Sequence, residues 1–358
     1  MKTICAALIV KDEQKIISRC IDSLKSYIDN WVIIDTGSTD KTKKFIKKSF
    51  EGIPGELLDA PWVNFGHNRT ELIKICKGKA DYLLLVDADM VLNVHDENFK
   101  KNLSADSYLV KYTGPINYRQ KLLVKADLDW EYEGVTHEYI HCKQEKSAKN
   151  IDSISFTHLC DGNRRPVKVE EDVKLLENAL IRDSENERHM FYLAQSYFDI
   201  KNYKKARYWY EERIKKRGWE EEVYFSIYKA ALCKHLEGEE FPMYEFAAAY
   251  EYRPERLEAV YEIIRQLRKE GLYNLAYDIC KRAIKKAAPS QDVLFVDQQV
   301  YDYKLVDELS ICAYWAGEVE ESNRLCKELL NNDKIPKEQL ERIRNNKKFA
   351  ENKLNQLV

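Results

Sequence analysis

Short apolar runs alternate with amphipathic segments over the first half of the chain. The runs at residues 3–10, 31–34 and 82–86 predict buried strands, because each is almost entirely apolar and is bounded by polar residues. Apolar residues at helical spacing predict crossover helices at residues 16–28, 41–48 and 70–76. Weaker, β-like runs lie at residues 57–58, 108–112, 122–124, 135–140 and 154–157. Strands that alternate with helices predict an α/β domain built on a parallel sheet.

From residue 166 onward the pattern changes to a helical period of three to four residues. Within this half, Leu193-Ala194-x-x-Tyr197, Ala206 and Tyr210 lie at the spacing of the tetratricopeptide (TPR) pattern, in which small residues let two antiparallel helices approach closely. Looser pairs recur at residues 273–276 and 317–322. The pattern predicts an all-α helical-repeat domain, with an unrelated helical bundle as the alternative.

Composition and charge narrow the classes of protein. The net charge of −2 gives no field that would attract nucleic acid, and we expect no nucleic-acid partner. The longest apolar run has seven residues, against the roughly 20 that a membrane-spanning helix needs. The nine cysteines form no C-x-x-C pair and mostly lie in apolar periodic segments, which indicates buried thiols and a reducing compartment. We therefore expect a cytoplasmic protein that has no membrane span or signal peptide and is divided into domains 1–165 and 166–358.

Acidic residues follow two of the predicted strands. Asp35 ends one of them and leads into a turn at Gly37; read alone, this is also consistent with a simple capped turn between strand and helix. The other strand delivers Asp87-Ala88-Asp89, whose carboxylates are two residues apart and therefore point to one side of an extended chain. Two such carboxylates at the end of a buried strand predict a divalent cation, Mg²⁺ or Mn²⁺, with a diphosphate as its natural ligand. The chain has neither a P-loop nor a G-x-G-x-x-G motif to bind the phosphates instead.

Four motifs in this order resemble family 2 glycosyltransferases of the GT-A fold. They are Leu8-Ile9-Val10-Lys11-Asp12-Glu13, Asp35-Thr36-Gly37-Ser38-Thr39-Asp40, Asn64-Phe65-Gly66-His67-Asn68-Arg69 and Leu83-Leu84-Leu85-Val86-Asp87-Ala88-Asp89. The resemblance covers about residues 1–160, and the rest of the chain resembles the TPR domains attached to some members. Lys11-Asp12-Glu13 departs from the more usual Asn-Glu of the family, so no role is assigned to Glu13.

The resemblance implies a Rossmann-like mixed sheet, followed here by TPR-like helices, and a nucleotide-sugar donor, most often UDP-linked. The nucleotide-sugar site implied by the motifs comprises Val10, Asp35, Arg69, Asp87, Ala88 and Asp89. Asp35 would accept the uracil N–H, Arg69 would lie near the base or diphosphate, and Asp87 and Asp89 would bind the divalent cation.

Three further residues complete the implied site. An inverting transfer needs a base for the proton of the acceptor, and the resemblance implies Glu138 for this role. His158 resembles a late histidine that some GT-A enzymes use as a further metal ligand, although a structural hydrogen bond is the alternative. Trp130 is either a stacking surface for an acceptor sugar or an ordinary core tryptophan. The acceptor is expected to be a glycan or a peptide, and the helical half is expected to complete its site, to form a homodimer, or only to stabilise the fold.

One motif points to different chemistry. His137-Glu138-Tyr139-Ile140-His141 reads H-E-x-x-H, the zinc signature of metallopeptidases, which requires a helix to bring both histidines to one metal. The β-branched and aromatic residues around it favour a strand, on which the two histidines would be too far apart. A zinc peptidase, with His158 as a third ligand, and a non-catalytic TPR adaptor are therefore the alternative hypotheses.

Overall fold

The computed structural model describes residues 1–113, 118–159, 161, 167–289 and 291–356. The chain divides into two compact units, Met1–Ser184 and Glu185–Val358. The expected domain boundary between residues 165 and 166 lies outside the described residues. The first helix after it, Val167–Arg182, is grouped with the first unit.

The first unit contains ten strands and four α-helices among its described residues. The strands are β1 Ile4–Val10, β2 Asn30–Asp35, β3 Gly55–Asp59, β4 Tyr82–Leu85, β5 Met90–Val94, β6 Ser107–Thr113, β7 Arg119–Lys125, β8 Glu131–Glu133, β9 Tyr139–His141 and β10 Ala148–His158. The helices are α1 Ile17–Leu24, α2 Thr42–Ser49, α3 Phe65–Cys76 and α4 Val167–Arg182. A 3-10 turn lies at Phe99–Asn102.

Eight strands form one sheet in the order β3-β2-β1-β4-β7-β6-β10-β5, and β8 pairs with β9 in a separate antiparallel hairpin. Strands β3, β2, β1 and β4 are parallel to one another, and β6 is parallel to β10. Strand β7 runs antiparallel to both β4 and β6, and β5 runs antiparallel to β10. The sheet is therefore mixed, as the GT-A resemblance implied, and not purely parallel. The prediction of one strand over residues 135–140 was wrong, because a turn precedes β9 there.

Both faces of the sheet are covered, which explains why its central strands are apolar throughout. Along β1, Leu8 and its alternate neighbours pack with α1 and α2, while Cys5 and Ala7 pack with α3 on the opposite face. Trp31 stacks on Phe50 at the end of α2, with ring centroids 4.6 Å apart. Because successive side chains on a strand point to opposite faces, one apolar run supplies both cores.

The second unit is helical in its described residues. Its helices are α5 Glu187–Asp199, α6 Tyr203–Lys216, α7 Glu220–Leu236, α8 Met243–Tyr252, α9 Glu258–Lys269, α10 Tyr273–Ala283, α11 Leu305–Trp315, α12 Val319–Leu330 and α13 Lys337–Gln356, and a π-helical turn at Val300–Lys304 precedes α11. Each helix packs against the next one along the chain. Ala194 of α5 and Ala206 of α6 are fully buried in the contact between these helices, as the TPR spacing predicted.

Two expectations from composition can be compared with the structure. Eight of the nine cysteines are free and all of these except Cys142 are buried, while Cys160 lies outside the described residues. Across the described part of the chain, the helices are all too short or too polar to cross a membrane.

Candidate active site

Three neighbouring parallel strands end at the same edge of the sheet and bring the acidic motifs together. Val10 at the end of β1 pairs in register with Asp35 at the end of β2, and Asp87 follows β4 on the other side of β1. From β1 the chain adds β2 and β3 on one side of the sheet and then places β4 on the other side of β1, so the strand order reverses between β1 and β4. In open α/β sheets this is where a crevice forms beyond the carboxyl ends of the strands and where ligands bind.

Asp35 has an unusual environment for a carboxylate. Its side chain is fully buried, and its Oδ1 accepts the backbone N–H groups of Gly37 at 2.9 Å and Ser38 at 2.7 Å. Its Oδ2 is also buried but has no hydrogen-bond partner among the described residues. Gly37 has φ +111°, a backbone conformation that residues with a side chain rarely adopt, and so permits the turn. A buried oxygen without a donor is costly and indicates a place for a ligand's N–H.

The other polar residues of the first two motifs bind one another. Asp12, with φ 55°, accepts the backbone N–H of Thr39 at 2.7 Å and that of Asp40 at 3.3 Å. In return, Asp12 donates its backbone N–H to the hydroxyl of Ser38 in the second loop, and Glu13 donates its backbone N–H to the hydroxyl of Thr42 at the start of α2. The two loops therefore hold each other at the edge of the sheet. Glu13 takes part through its backbone N–H, which donates to Thr42 Oγ1 at 2.7 Å.

Arg69 on α3 joins the third and fourth motifs. Its Nη2 donates to Asp87 Oδ1 at 2.5 Å and its Nε donates to Glu138 Oε1 at 2.7 Å, while its guanidinium lies 5.5 Å from the ring centroid of Tyr132. Burial works against the charge of Arg69, but the carboxylates of Asp87 and Glu138 outweigh it and raise the pKa of Arg69. Arg69 is thus a fixed cation that positions two acids from distant parts of the chain.

A close backbone approach holds Glu138 beside α3. A Cβ atom on Gly66 would lie 2.1 Å from the carbonyl oxygen of Gly134, so only glycine lets the helix and the β8–β9 hairpin come this close. Phe65 N–H donates to the carbonyl of Val135 at 3.1 Å. The third motif therefore does two things: it supplies Arg69, and it docks the hairpin that carries Glu138.

Asp89 and His158 meet through the pairing of β5 with β10. His158 pairs in register with Met90, the residue after Asp89, and its Nε2 lies 3.0 Å from Asp89 Oδ2. Burial tends to raise the pKa of Asp89, but the hydrogen bond and charge of His158 outweigh it, so the pKa is lowered. Ala88 between the two aspartates is buried.

The donor set suits a divalent cation, although the two aspartates have different partners. A carboxylate beside an imidazole, as in Asp89 and His158, is a combination that Mn²⁺ accepts more readily than Mg²⁺ does. Asp87 accepts a hydrogen bond from Arg69 through its Oδ1, and its side chain is about one-third exposed. Within the described ranges, His, Cys, Asp and Glu side chains do not assemble in groups of three or more that could hold a metal. The predicted metal site of Asp87, Asp89 and His158 stays a prediction.

Trp130 is a core residue. Its side chain is 1% exposed, packs on the α3 face of the sheet, and donates its indole N–H to the carbonyl of Lys125 at 2.9 Å. The ring therefore has no free face on which an acceptor sugar could stack. Its burial supports the alternative role, that of an ordinary core tryptophan.

The H-E-x-x-H motif does not form a zinc site. His137 lies in the turn of the hairpin with φ 51°, and His141 lies on β9. The motif is not helical, so it lacks the one-face arrangement that the metallopeptidase signature requires. Glu138, the acid of the motif, binds Arg69 instead. The zinc peptidase hypothesis is therefore dropped.

Three residues near the site were not predicted. Tyr132 lies against Arg69, and burial raises the pKa of its hydroxyl. Lys43 Nζ is 4.0 Å from Asp35 Oδ1 and pairs with Asp59 at the end of β3. Arg19 on α1 binds Asp161 through two hydrogen bonds of 2.7 Å. Only their proximity in the fold identifies these residues, because no local pattern marks them.

Comparison with known proteins supports the resemblance. The family described as Glycosyl transferase family 2 matches residues 5–143. The SPbeta prophage-derived glycosyltransferase SunS of Bacillus subtilis (strain 168) is 22% identical over 209 residues, which cover 54% of this chain and 49% of SunS. The chain thus spans about half the length of this relative.

Two solved structures are similar to parts of the chain. S. aureus TarS 1-349, in complex with UDP-GlcNAc, has a TM-score of 0.38 and 13% identity, covering 70% of this chain and 92% of that one. A TPR repeat-containing protein from Cytophaga hutchinsonii has a TM-score of 0.38 and 14% identity, covering 47% of this chain and 60% of that one. The family match confirms the resemblance predicted from the four motifs.

Proposed function

Because residues 5–143 form a family 2 glycosyltransferase domain, we propose that the protein transfers a sugar from a nucleotide-diphosphate donor, a UDP-sugar, to an acceptor hydroxyl with inversion. The acceptor oxygen forms a bond to the anomeric carbon while the bond from that carbon to the diphosphate breaks. The acceptor proton goes to an enzyme base, and the nucleoside diphosphate leaves.

The buried, unpartnered Oδ2 of Asp35 carries this proposal. Uracil offers an imide N–H that this oxygen can accept, whereas cytosine presents a lone pair at the same ring position. A buried acceptor that meets a lone pair is left unpaired and repelled, which makes this site selective against CDP-sugars. Val10, which pairs with Asp35 across the strands, forms the adjoining wall.

The diphosphate belongs at the other side of β1. Asp89 and His158 would hold the divalent cation, which would neutralise charge on the departing diphosphate. Asp87 stays fixed by Arg69, whose positive charge also favours an anionic ligand beside it. Asp87 and Asp89 follow β4, and His158 ends β10, close to the crevice next to β1.

Glu138 is the proposed base. Its carboxylate is mostly buried, is oriented by Arg69 through Oε1, and comes from a hairpin separate from the strands that bind the nucleotide. A base must lie within hydrogen-bond reach of the acceptor proton, and the Arg69 contact fixes the carboxylate in one position. Its second oxygen would accept that proton.

Nucleotide binding tests the proposal directly. We expect UDP with Mn²⁺ to raise the thermal midpoint and CDP to do so much less. Asp35→Asn should weaken UDP binding about 10- to 100-fold, because a charge-assisted hydrogen bond is lost. Asp59→Asn is the matched control, since Asp59 ends the neighbouring strand but is exposed. Equal binding of UDP and CDP, or an Asp35→Asn variant that binds UDP like the wild type, would overturn the donor assignment.

Hydrolysis of the donor by water measures the chemical step separately from nucleotide binding. It can be measured without knowing the acceptor, because water takes the acceptor's place. We expect slow release of UDP from some member of a panel of UDP-sugars with Mn²⁺, and its loss in Glu138→Gln with UDP affinity retained. A protein that neither binds UDP nor hydrolyses any UDP-sugar would support the TPR adaptor hypothesis instead.

A further inference from the structure

Lys43 in the first turn of α2 lies between two acids at the ends of neighbouring strands. Asp35 ends β2 and Asp59 ends β3, and these two residues pair in register. The ammonium group of Lys43 donates a hydrogen bond to Asp59 Oδ1 and lies 4.0 Å from Asp35 Oδ1. Lys43 is half-buried, whereas Lys44, which follows it on the helix, is exposed. Lys43 therefore places a positive charge beside the carboxylate that we assign to the nucleobase.

The ammonium group of Lys43 can bind more than Asp59. It has three N–H donors, and Asp35 Oδ1 is too far away to accept one of them. The side chain of Asp59 is 74% exposed, and ion pairs as exposed as this one contribute little free energy. The hydrogen bond to Asp59, assisted by the charge of Asp35, raises the pKa of Lys43, so the group is charged at neutral pH. Lys43 can therefore donate to a ligand without giving up a strong contact.

The hydrogen-bonding groups of Asp35 and Lys43 complement the edge of a uracil ring. Asp35 Oδ2 is buried and has no hydrogen-bond partner within the described part of the chain, so it can accept an imide N–H. In uracil this N–H lies between two carbonyl groups, whose oxygens accept hydrogen bonds. An acceptor with a cationic donor next to it therefore matches an N–H with a carbonyl next to it. Cytosine lacks this N–H and has an amino group in place of one carbonyl.

We propose that Lys43 determines base specificity by donating a hydrogen bond to a carbonyl oxygen of uracil, beside the imide N–H that Asp35 accepts. This inference rests on the proposed function, because it requires a uridine nucleotide at Asp35. The base would then be recognised by two elements, the end of β2 and the first turn of α2. A hydrogen bond from an ammonium group is charge-assisted and stronger than a neutral one, so its loss is measurable in nucleotide affinity.

A purely structural role for Lys43 makes a different prediction. If Lys43 only balanced the charge of the buried Asp35 carboxylate, it would strengthen binding of any base that donates an N–H to Asp35, whatever the neighbouring group of that base. Replacing one carbonyl oxygen of uracil with sulfur separates the two roles. Sulfur is a weak hydrogen-bond acceptor, and the imide N–H stays in place. Only a direct contact between Lys43 and the carbonyl makes the effect of sulfur depend on the ammonium group.

Calorimetric titration of the full chain with UDP, 2-thio-UDP and 4-thio-UDP in the presence of Mn²⁺ tests the proposal. We expect the wild type to bind one of the two thio analogues about 5- to 10-fold more weakly than UDP. Lys43→Met keeps the aliphatic stem but removes the ammonium group. It should bind UDP about 10-fold more weakly than the wild type does, and it should bind UDP and that analogue equally well within about 2-fold.

Two variants serve as controls. Lys44→Met removes the neighbouring, exposed ammonium group and should bind all three nucleotides as the wild type does. Asp59→Asn should do the same, because asparagine keeps a carbonyl oxygen for Lys43. Thermal unfolding checks that Lys43→Met is folded, and Lys43→Gln replaces it if it is not.

The outcomes separate this inference from the nucleotide assignment. Lys43→Met that weakens binding of UDP and both thio analogues by one common factor overturns the inference, because Lys43 would then act only through the charge of Asp35. A wild type that binds both analogues as tightly as UDP overturns it as well. In these two cases UDP binding still depends on Asp35. If the nucleotide assignment itself fails, UDP does not bind the wild type, or Asp35→Asn binds UDP equally well.

Discussion

Arg69 is the residue through which the site's distant acids are connected. It lies between Asp87 and Glu138, which are 18 and 69 residues away in the sequence, and it is mostly buried. Lysine at this position would keep the charge but, with a single ammonium group on a flexible stem, would not hold two carboxylates in one plane. The geometry of the site therefore depends on a guanidinium at position 69.

We predict that Arg69→Lys lowers donor hydrolysis about 100-fold, because one of the two acids loses its fixed position. Arg69→Ala should also destabilise the fold by about 1–3 kcal/mol, since it removes the guanidinium that pairs with the mostly buried Glu138 carboxylate. Hydrolysis assays and denaturant unfolding measure the two effects. Lys74→Gln on the same helix is the control, because Lys74 is exposed and forms its ion pair with Glu71 on the helix surface. Wild-type activity in Arg69→Lys would contradict the positioning role.

At the scale of elements, the hairpin β8–β9 depends on its contact with α3. We predict that Gly66→Ala costs about 1–3 kcal/mol, because the added methyl group would meet backbone rather than a side chain that can move. Hydrolysis should fall as well, because the hairpin carries Glu138. Thermal unfolding and the hydrolysis assay test this. His67→Ala at the next, exposed position is the control, and equal stability of the two variants would show that the contact is dispensable.

Asp106 ties together the ends of three strands. It precedes β6 and accepts from Lys125 at the end of β7 at 2.8 Å and from the backbone N–H groups of Lys146 and Ser147, which lead into β10. Lys125 and these N–H groups lower the pKa of Asp106 to about 2. The folded-state pKa is below the ordinary value, so the stabilisation is complete above about pH 4 and is lost as pH falls toward 2.

We therefore predict that Asp106→Asn lowers the thermal midpoint at pH 6, and that the difference from the wild type shrinks steadily between pH 4 and 2. Thermal unfolding at several pH values measures it. The control is Asp127→Asn, because Asp127 is exposed. A difference that stays constant down to pH 2 would mean that the charge of Asp106 is not what stabilises these strand ends.

The elements that the sequence predicts well are those with strong local patterns. Strands β1, β2 and β4 are almost entirely buried and have acidic or polar residues at or just after their ends, so apolar runs were enough to find them. Strand β5 was missed because it begins directly after Asp89, with no turn signal between the acidic motif and the strand. The β-branched residues at 135–140 favour a strand, but the turn of the β8–β9 hairpin occupies most of this range and β9 begins only at Tyr139.

The candidate site divides in the same way. Asp35, Asp87 and Asp89 were predicted because acids at strand ends are visible in the sequence. The links from Arg69 to Glu138 and from Asp89 to His158 each span 69 residues and arise from strand pairing and helix docking. For Trp130 the sequence left two alternatives open, a core residue or a stacking surface for a sugar. A single tryptophan in the sequence does not show whether its ring is buried or exposed to a ligand. Local sequence patterns therefore could not predict these contacts between residues that are far apart in the chain.

At the scale of the whole molecule, the proposed nucleotide residues all belong to the first unit. Val10, Asp35, Arg69 and Asp89 lie within Met1–Ser184, whereas helices α5 to α13 lie within Glu185–Val358. A ligand that binds only the native form of one unit raises the free energy of those opening reactions that destroy its binding site, and of no others. A nucleotide should therefore slow exchange in the first unit and leave exchange in the helical unit unchanged.

Hydrogen–deuterium exchange with UDP and Mn²⁺ tests this separation. At 100 times the dissociation constant, bound ligand adds about 2.7 kcal/mol to the opening free energy, which is close to a 100-fold slowing of exchange. We predict such slowing in amides around β1, β2 and α3, and unchanged exchange in α5 to α13. Asp35→Asn, which should weaken UDP binding about 10- to 100-fold, should reduce the slowing to about 2- to 11-fold at the same nucleotide concentration. Equal slowing in the helical unit would contradict the prediction, because it would mean that nucleotide binding is coupled to both units.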